Sequence, residues 1–239
     1  MDGYQKRFSH YSTVNEREIL AQKRLDSLKR RGFIVQDLLI KTSKKRGTLS
    51  QTAVGRKWFD FAGEQVTCPC RKARARSYLR HGAVCHHAIK KGVIEALVSG
   101  KELYTVKIKI QAIREKRWSM IKDICKEDQD ITSALLQDVL TTGLSSGIIS
   151  VLEMLFPSRH DIVPKCNCQD SEPFCKHIIA ALFGVGIRLD RDFGTLFTLR
   201  GVNRFDLVKN KFSSVSRSLV GQNRLLPSEL RKIFHIDLL

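Results

Sequence analysis

The run Cys166-Asn-Cys168-Gln-Asp-Ser-Glu-Pro-Phe-Cys175-Lys-His177 sets three thiols and one imidazole within twelve residues. Three thiolates and an imidazole complete a tetrahedral shell for Zn²⁺ and leave no position open for water or substrate, which makes the expected metal structural rather than catalytic. Three thiolates overcompensate a divalent ion by one charge, and Lys165 and Lys176, next to ligands in sequence, can offset it. A second C-x-C and C-x-H occurs at Cys68, Cys70, Cys85 and His87, with fourteen residues between the halves. By spacing alone this is a second metal site, and Arg71, Lys72 and Arg74 would help hold its thiolates. Against it, the Ala-Ile-Lys-Lys-Gly after His87 poorly copies the apolar Ile-Ile-Ala-Ala-Leu-Phe after His177, and buried or reactive thiols are the competing reading. The basic residues Arg71, Lys72, Arg74, Arg76 and Arg80, beside Tyr78, offer a phosphate contact with a stacking surface; a solvated edge is the alternative.

These side chains need particular elements beneath them. Ligands at i and i+2 share a face only where the chain is extended or turning, because two helical residues are displaced by about 200°. Cys166 and Cys168 are therefore expected on a strand or hairpin. Cys175 should precede a helix whose first turn carries His177 and whose buried face runs from Ile178 to Phe183, with Pro173 in the turn between the halves.

At these residues the chain resembles the SWIM zinc-finger family, whose pattern is C-x-C, a variable gap, then C-x-H leading into a helix. The order of blocks from Arg76 to Val84, Gly92 to Gly100, Thr105 to Ile110, Trp118, Gly143 to Phe156, the finger itself and Leu196 to Gly201 is similar to that of bacterial SWIM proteins. In that resemblance Cys85 to His87 fall in a strand block rather than a finger. It implies a zinc-stabilised module that binds nucleic acid or protein, associated by family with Swi/Snf-type helicases.

The rest of the chain supplies an α+β scaffold with a β-rich N-terminal half and a helical C-terminal half. Residues Asn15 to Arg31 repeat apolar side chains at helical spacing and stop at Gly32. A basic loop from Lys41 to Gly47 marks the end of an N-terminal segment, 1–50. The stretch Ala53 to Ile110 reads as β-rich. Within it Ile94, Ala96 and Val98, then Val106, Ile108 and Ile110, alternate with outward residues across a short glycine turn, a hairpin with one solvated face. From Arg114 the period changes to three or four through Trp118, Ile121, Ile124 and Cys125, then through Leu135, Leu136, Val139 and Leu140, with a third helix from Ser146 to Phe156. The expected units are thus 1–50, a β-rich 51–113, a helical 114–160, the finger at 161–190 and a basic helical 191–239.

Lys and Arg number 42 against 24 Asp and Glu, a net charge of +18. That excess points toward polyanionic partners, nucleic acid or acidic protein surfaces, with a basic solubilising surface as the alternative, and does not specify a fold. No apolar run approaches the roughly 18 residues of a membrane span, and MDGYQKRFSH lacks the apolar core of a secretory signal. A reducing cytoplasm, with the nucleoid or nucleus as variants, is the expected compartment, and there seven cysteines are more readily ligands or free thiols than a disulfide framework. Gly143-Leu-Ser145-Ser-Gly147 matches the hydrolase pattern G-x-S-x-G, but helix rather than strand is expected before it. The expected function is a non-enzymatic zinc module binding nucleic acid or a partner that processes it. The alternatives are a protein–protein adaptor for a Swi/Snf-type helicase and, third, an enzyme with Cys68 or Ser145 as nucleophile.

Overall fold

A computed structural model describes residues 14–36, 49–137 and 144–208. The expected helix near the start is α1 (Val14–Arg30), closed by Gly32 at a positive φ of 76°, which a side chain would oppose. Next come α2 (Ala53–Glu64) and α3 (Pro69–Arg80), then strands β1 (Val84–Lys90), β2 (Val93–Ser99) and β3 (Leu103–Ile110). Helices α4 (Glu115–Glu127), α5 (Gln129–Leu136) and α6 (Ser146–Leu155) lead to β4 (Ile162–Cys166), α7 (Lys176–Leu189) and α8 (Gly194–Leu199).

The α+β class stands: one four-stranded antiparallel sheet in the order β1-β2-β3-β4, with helices before and after it. The alternation expected for β2 and β3 is the observed one, with Ile94, Ala96, Val98, Val106, Ile108 and Ile110 buried. Two readings are corrected. Residues 53–80, expected to be β-rich, are the helices α2 and α3. In α2 the buried Val54, Trp58 and Ala62 recur every four residues and Thr52 caps the first turn by accepting from the Gly55 amide, 3.1 Å away, so helical period and cap both oppose a strand. In α3, Pro69 occupies the first turn, where its missing N–H has no intrahelical partner to lose. The second concerns pairing: the strand expected at Cys166 is β4, and it joins β3 of the main sheet rather than a local hairpin, with Val106 opposite Cys166 and Ile110 opposite Ile162.

The centre of the molecule is α7. Twelve of its residues are buried, from His177 through Leu189, because its sequence is apolar on every side. α2 crosses it so closely that a methyl group on Gly186 would lie 2.6 Å from the Phe59 ring and 3.0 Å from the Gly55 carbonyl. Trp58 Nε1 donates to the Leu182 carbonyl at 2.8 Å across this contact. At the far end Asp190 accepts from Ser50 Oγ, the Gln51 and Thr52 amides and Thr52 Oγ1, all at 2.7–2.9 Å, tying the end of α7 to the start of α2.

The segments 1–13, 37–48, 138–143 and 209–239 lie outside the described residues. With them go the basic loop at Lys41 to Gly47, Val139 and Leu140 of the second expected helix, and most of the basic C-terminal segment.

Candidate metal centre

Three elements bring the four expected ligands together. Cys166 ends β4, and Cys168 follows in the turn beyond it. Asn167 between them is fixed to the sheet: the Thr105 amide of β3 donates to its side-chain oxygen at 2.9 Å, and its own amide donates back to the Thr105 carbonyl at 3.4 Å. Cys175 is the N-cap of α7 and His177 lies in the first turn, as the C-x-H reading requires. The turn at Pro173 and Phe174 joins the halves, and Phe174 is buried under the Arg159 guanidinium, 4.7 Å from its ring centroid.

The ligating atoms of Cys166, Cys168, Cys175 and His177 all lie within 4.8 Å of one another. His177 Nδ1 is 3.7 Å from the Cys166 sulfur and 3.9 Å from the Cys175 sulfur. A tetrahedral ion with Zn–S of about 2.3 Å and Zn–N of about 2.0–2.1 Å needs ligand-to-ligand edges of about 3.5–3.8 Å. The donor set and spacing therefore fit a metal ion of this kind. The imidazole is aimed by packing: Tyr104 of β3 stacks on it at 4.1 Å and 20°, and Tyr78 of α3 meets it edge-on at 5.4 Å. Nε2 is buried without a protein hydrogen-bond partner among the described residues.

The cluster is prepared for negative charge. Hydrogen bonds from Cys166, then from His177 and the Ile178 amide, hold the Cys175 thiol well below its ordinary range, while sharing with Cys175 pushes Cys166 up. The start of α7 adds its partial positive charge. Around the loop, Arg71 of α3 pairs with Asp170 at 3.1 Å and with Glu172 at 3.7 Å. That residue, expected to meet phosphate, thus tethers α3 to the ligand-bearing loop.

The second expected site is not assembled. Cys68 and Cys70 are joined as a disulfide, which corrects the expectation of metal ligands or free thiols there; as N-cap and second residue of α3 their Cα atoms stand 5.4 Å apart, within bridging reach. Cys85 and His87 lie on β1, but a bulge between Val84 and His86 breaks the alternation that would have placed them on one face. Cys85 is turned to the carbonyls of Ala21 on α1 and Ala83, and burial raises its thiol to about 11, away from the thiolate a metal needs. His87 instead bonds through Nε2 to the Ala181 carbonyl of α7 at 2.9 Å. Among the described residues, the group at 166–177 is the one that can hold a metal ion.

The remaining basic candidates sit on α3. Arg74 is exposed, Lys72, Arg76 and Arg80 are half-buried, and the Arg76 guanidinium rests 5.3 Å from the Phe183 ring centroid. Ser145 caps α6, its Oγ accepting from the Ile148 amide at 3.3 Å. What the sequence reading missed is the tie from Asn167, between two of the ligands, to Thr105 of β3, and the packing of Tyr78 and Tyr104 on His177, contacts between positions up to about a hundred residues apart that only the fold brings together.

Among the described residues no helix is long and apolar enough to cross a membrane. No family model matches the chain, and no solved structure matches it. It is similar to uncharacterized protein Rv2102 of Mycobacterium tuberculosis, 26% identical over 174 residues that make up 72% of this chain and 62% of that protein. The chain thus spans less than two thirds of that relative's length.

Proposed function

We propose that this protein is a non-catalytic, zinc-stabilised binding module of the SWIM-finger type whose basic surface engages nucleic acid. The observation that carries the reading is the convergence of three sulfurs and one imidazole nitrogen within 4.8 Å, at the head of the most buried helix. Bound there, Zn²⁺ would supply a cross-link between β4 and α7, and its binding free energy would be folding free energy. Cys166, Cys168, Cys175 and His177 fill all four positions of a tetrahedral shell, which favours support over catalysis. The +18 charge and the arginines of α3 support a polyanionic partner.

Two measurements test the two halves of the reading. Elemental analysis with native mass spectrometry should find one zinc per chain in the wild type, none in Cys166→Ser/Cys168→Ser and one in Cys68→Ser/Cys70→Ser. Absence of metal from freshly purified wild type would sink the zinc assignment. Binding to labelled oligonucleotides should weaken steeply between about 50 and about 200 mM salt. A partner captured instead with little salt dependence, as in apolar docking to a helicase, would replace nucleic acid with the adaptor role.

A further inference from the structure

Apart from the metal cluster, α2 and α3 enclose a cavity of about 270 Å³. Arg56 and Asp60 line it from successive turns of α2, and Arg76 and Arg80 from successive turns of α3, with Phe59 and Ser50 completing the wall. Three arginines and one acidic residue therefore line one concave space. Arg56 and Arg76 are held by named neighbours. Arg56 Nη1 donates to the Gln51 carbonyl at 2.8 Å, and Arg76 lies over Phe183, which itself stacks on Phe59 at 4.8 Å and 9°. Those contacts set the arginines in place while leaving further N–H groups on each fork, since a guanidinium carries five donors.

Like charges lining a concave space repel, and an anion there relieves the repulsion. Guanidinium forks match tetrahedral oxyanions, and phosphate is the anion they recognise bidentately. The volume is at the small end of ligand pockets, suited to a phosphate with its immediate substituent rather than to a whole dinucleotide.

We propose that this cavity is a phosphate-binding pocket, with Arg76 and Arg80 as the principal forks and Arg56 at its α2 side. The phosphate is either a phosphodiester of a nucleic-acid strand, which rests on the reading given above, or a free phosphate or mononucleotide. Isothermal titration with sodium phosphate and with AMP, and anisotropy titration with short labelled single-stranded and duplex oligonucleotides, separate these sources. The proteins compared are wild type, Arg76→Gln/Arg80→Gln, the charge-keeping Arg76→Lys/Arg80→Lys, and Arg114→Gln/Lys116→Gln, which removes two exposed charges elsewhere. Zinc content and thermal midpoint establish that each variant is folded.

Oligonucleotide affinity should fall at least about tenfold in the Gln pair, with the logarithmic salt slope reduced by between about one and two. The Lys pair should recover the slope but not the full affinity, and the Arg114/Lys116 pair should stay near wild type. Should phosphate or AMP bind wild type but not the Gln pair, while oligonucleotides bind neither, the pocket stands and the nucleic-acid reading falls. Equal oligonucleotide and phosphate binding by wild type and the Gln pair overturns the pocket alone. If wild type binds none of the probes, both fall.

Discussion

Exchange of Cys175 for Ser would remove one sulfur from the cluster and the thiolate best stabilised at the start of α7. If the proposed zinc is bound, such a variant is expected to lose it together with several kcal/mol of stability, a sizeable part of the roughly 5–15 kcal/mol a domain has, read as a lower urea midpoint. Asp190 is the other critical single residue. Asp190→Ala strands two hydroxyls and two amides that now share its carboxylate, and a loss of about 3 kcal/mol is expected in the same measurement. His87 sets a pH dependence. Burial lowers its pKa from 6.5 to about 4, so the folded protein keeps it neutral where the unfolded chain takes up a proton. Its contribution is complete above pH 6.5 and declines as pH falls toward 4, reaching a deficit of about 2 kcal/mol near pH 5. Urea midpoints followed from pH 7.5 to 5 should fall less steeply in His87→Gln than in wild type; parallel curves would remove His87 as the cause.

Among the elements, the crossing of α2 on α7 is the least forgiving contact. Gly186→Ala sets a methyl against the Phe59 ring and the Gly55 carbonyl, and a cost of roughly 1–3 kcal/mol is expected from overpacking; a thermal midpoint unchanged from wild type would show that the helices can separate without penalty. This contact also explains what could be read from sequence and what could not. The Cys/His cluster was legible because its members are local: Cys166 to His177 span a turn, a strand end and a helix start. Strands β2 and β3 were legible because their period-two faces are solvated on one side. The helices α2 and α3 carried readable signals in Thr52, in the four-residue spacing of Val54, Trp58 and Ala62, and in Pro69, but α3 buries only Ala75 and Leu79, too few to set an apolar helical period. That Cys166 ends a strand was legible from the spacing of the ligands, but the partner of β4 was not, since its five residues, Pro164 among them, pair with a strand more than fifty positions earlier. The bulge at Cys85, which separates a plausible ligand pair, also has no local signature.

At the scale of the molecule, the Cys/His cluster and the core meet in α7. Chelation should therefore not stay local. Removing the metal is expected to shift the fluorescence of Trp58, whose indole bonds to the Leu182 carbonyl two turns into α7, and to lower helix content measured by circular dichroism. Chelation that empties the site while leaving both signals unchanged would show that the cluster contributes nothing to the core. The burial of α7 on every side also has a temporal consequence. Synthesis delivers α2, α3 and the first three strands before the residues that fill the space between them. Until β4 and α7 arrive, β3 has an unpaired edge and the inner faces of α2 and α3 have no apolar partner, the conditions under which nascent chains aggregate. The protein must therefore acquire most of its cooperativity late, when a helix that would be insoluble alone inserts into partners that would be insoluble without it.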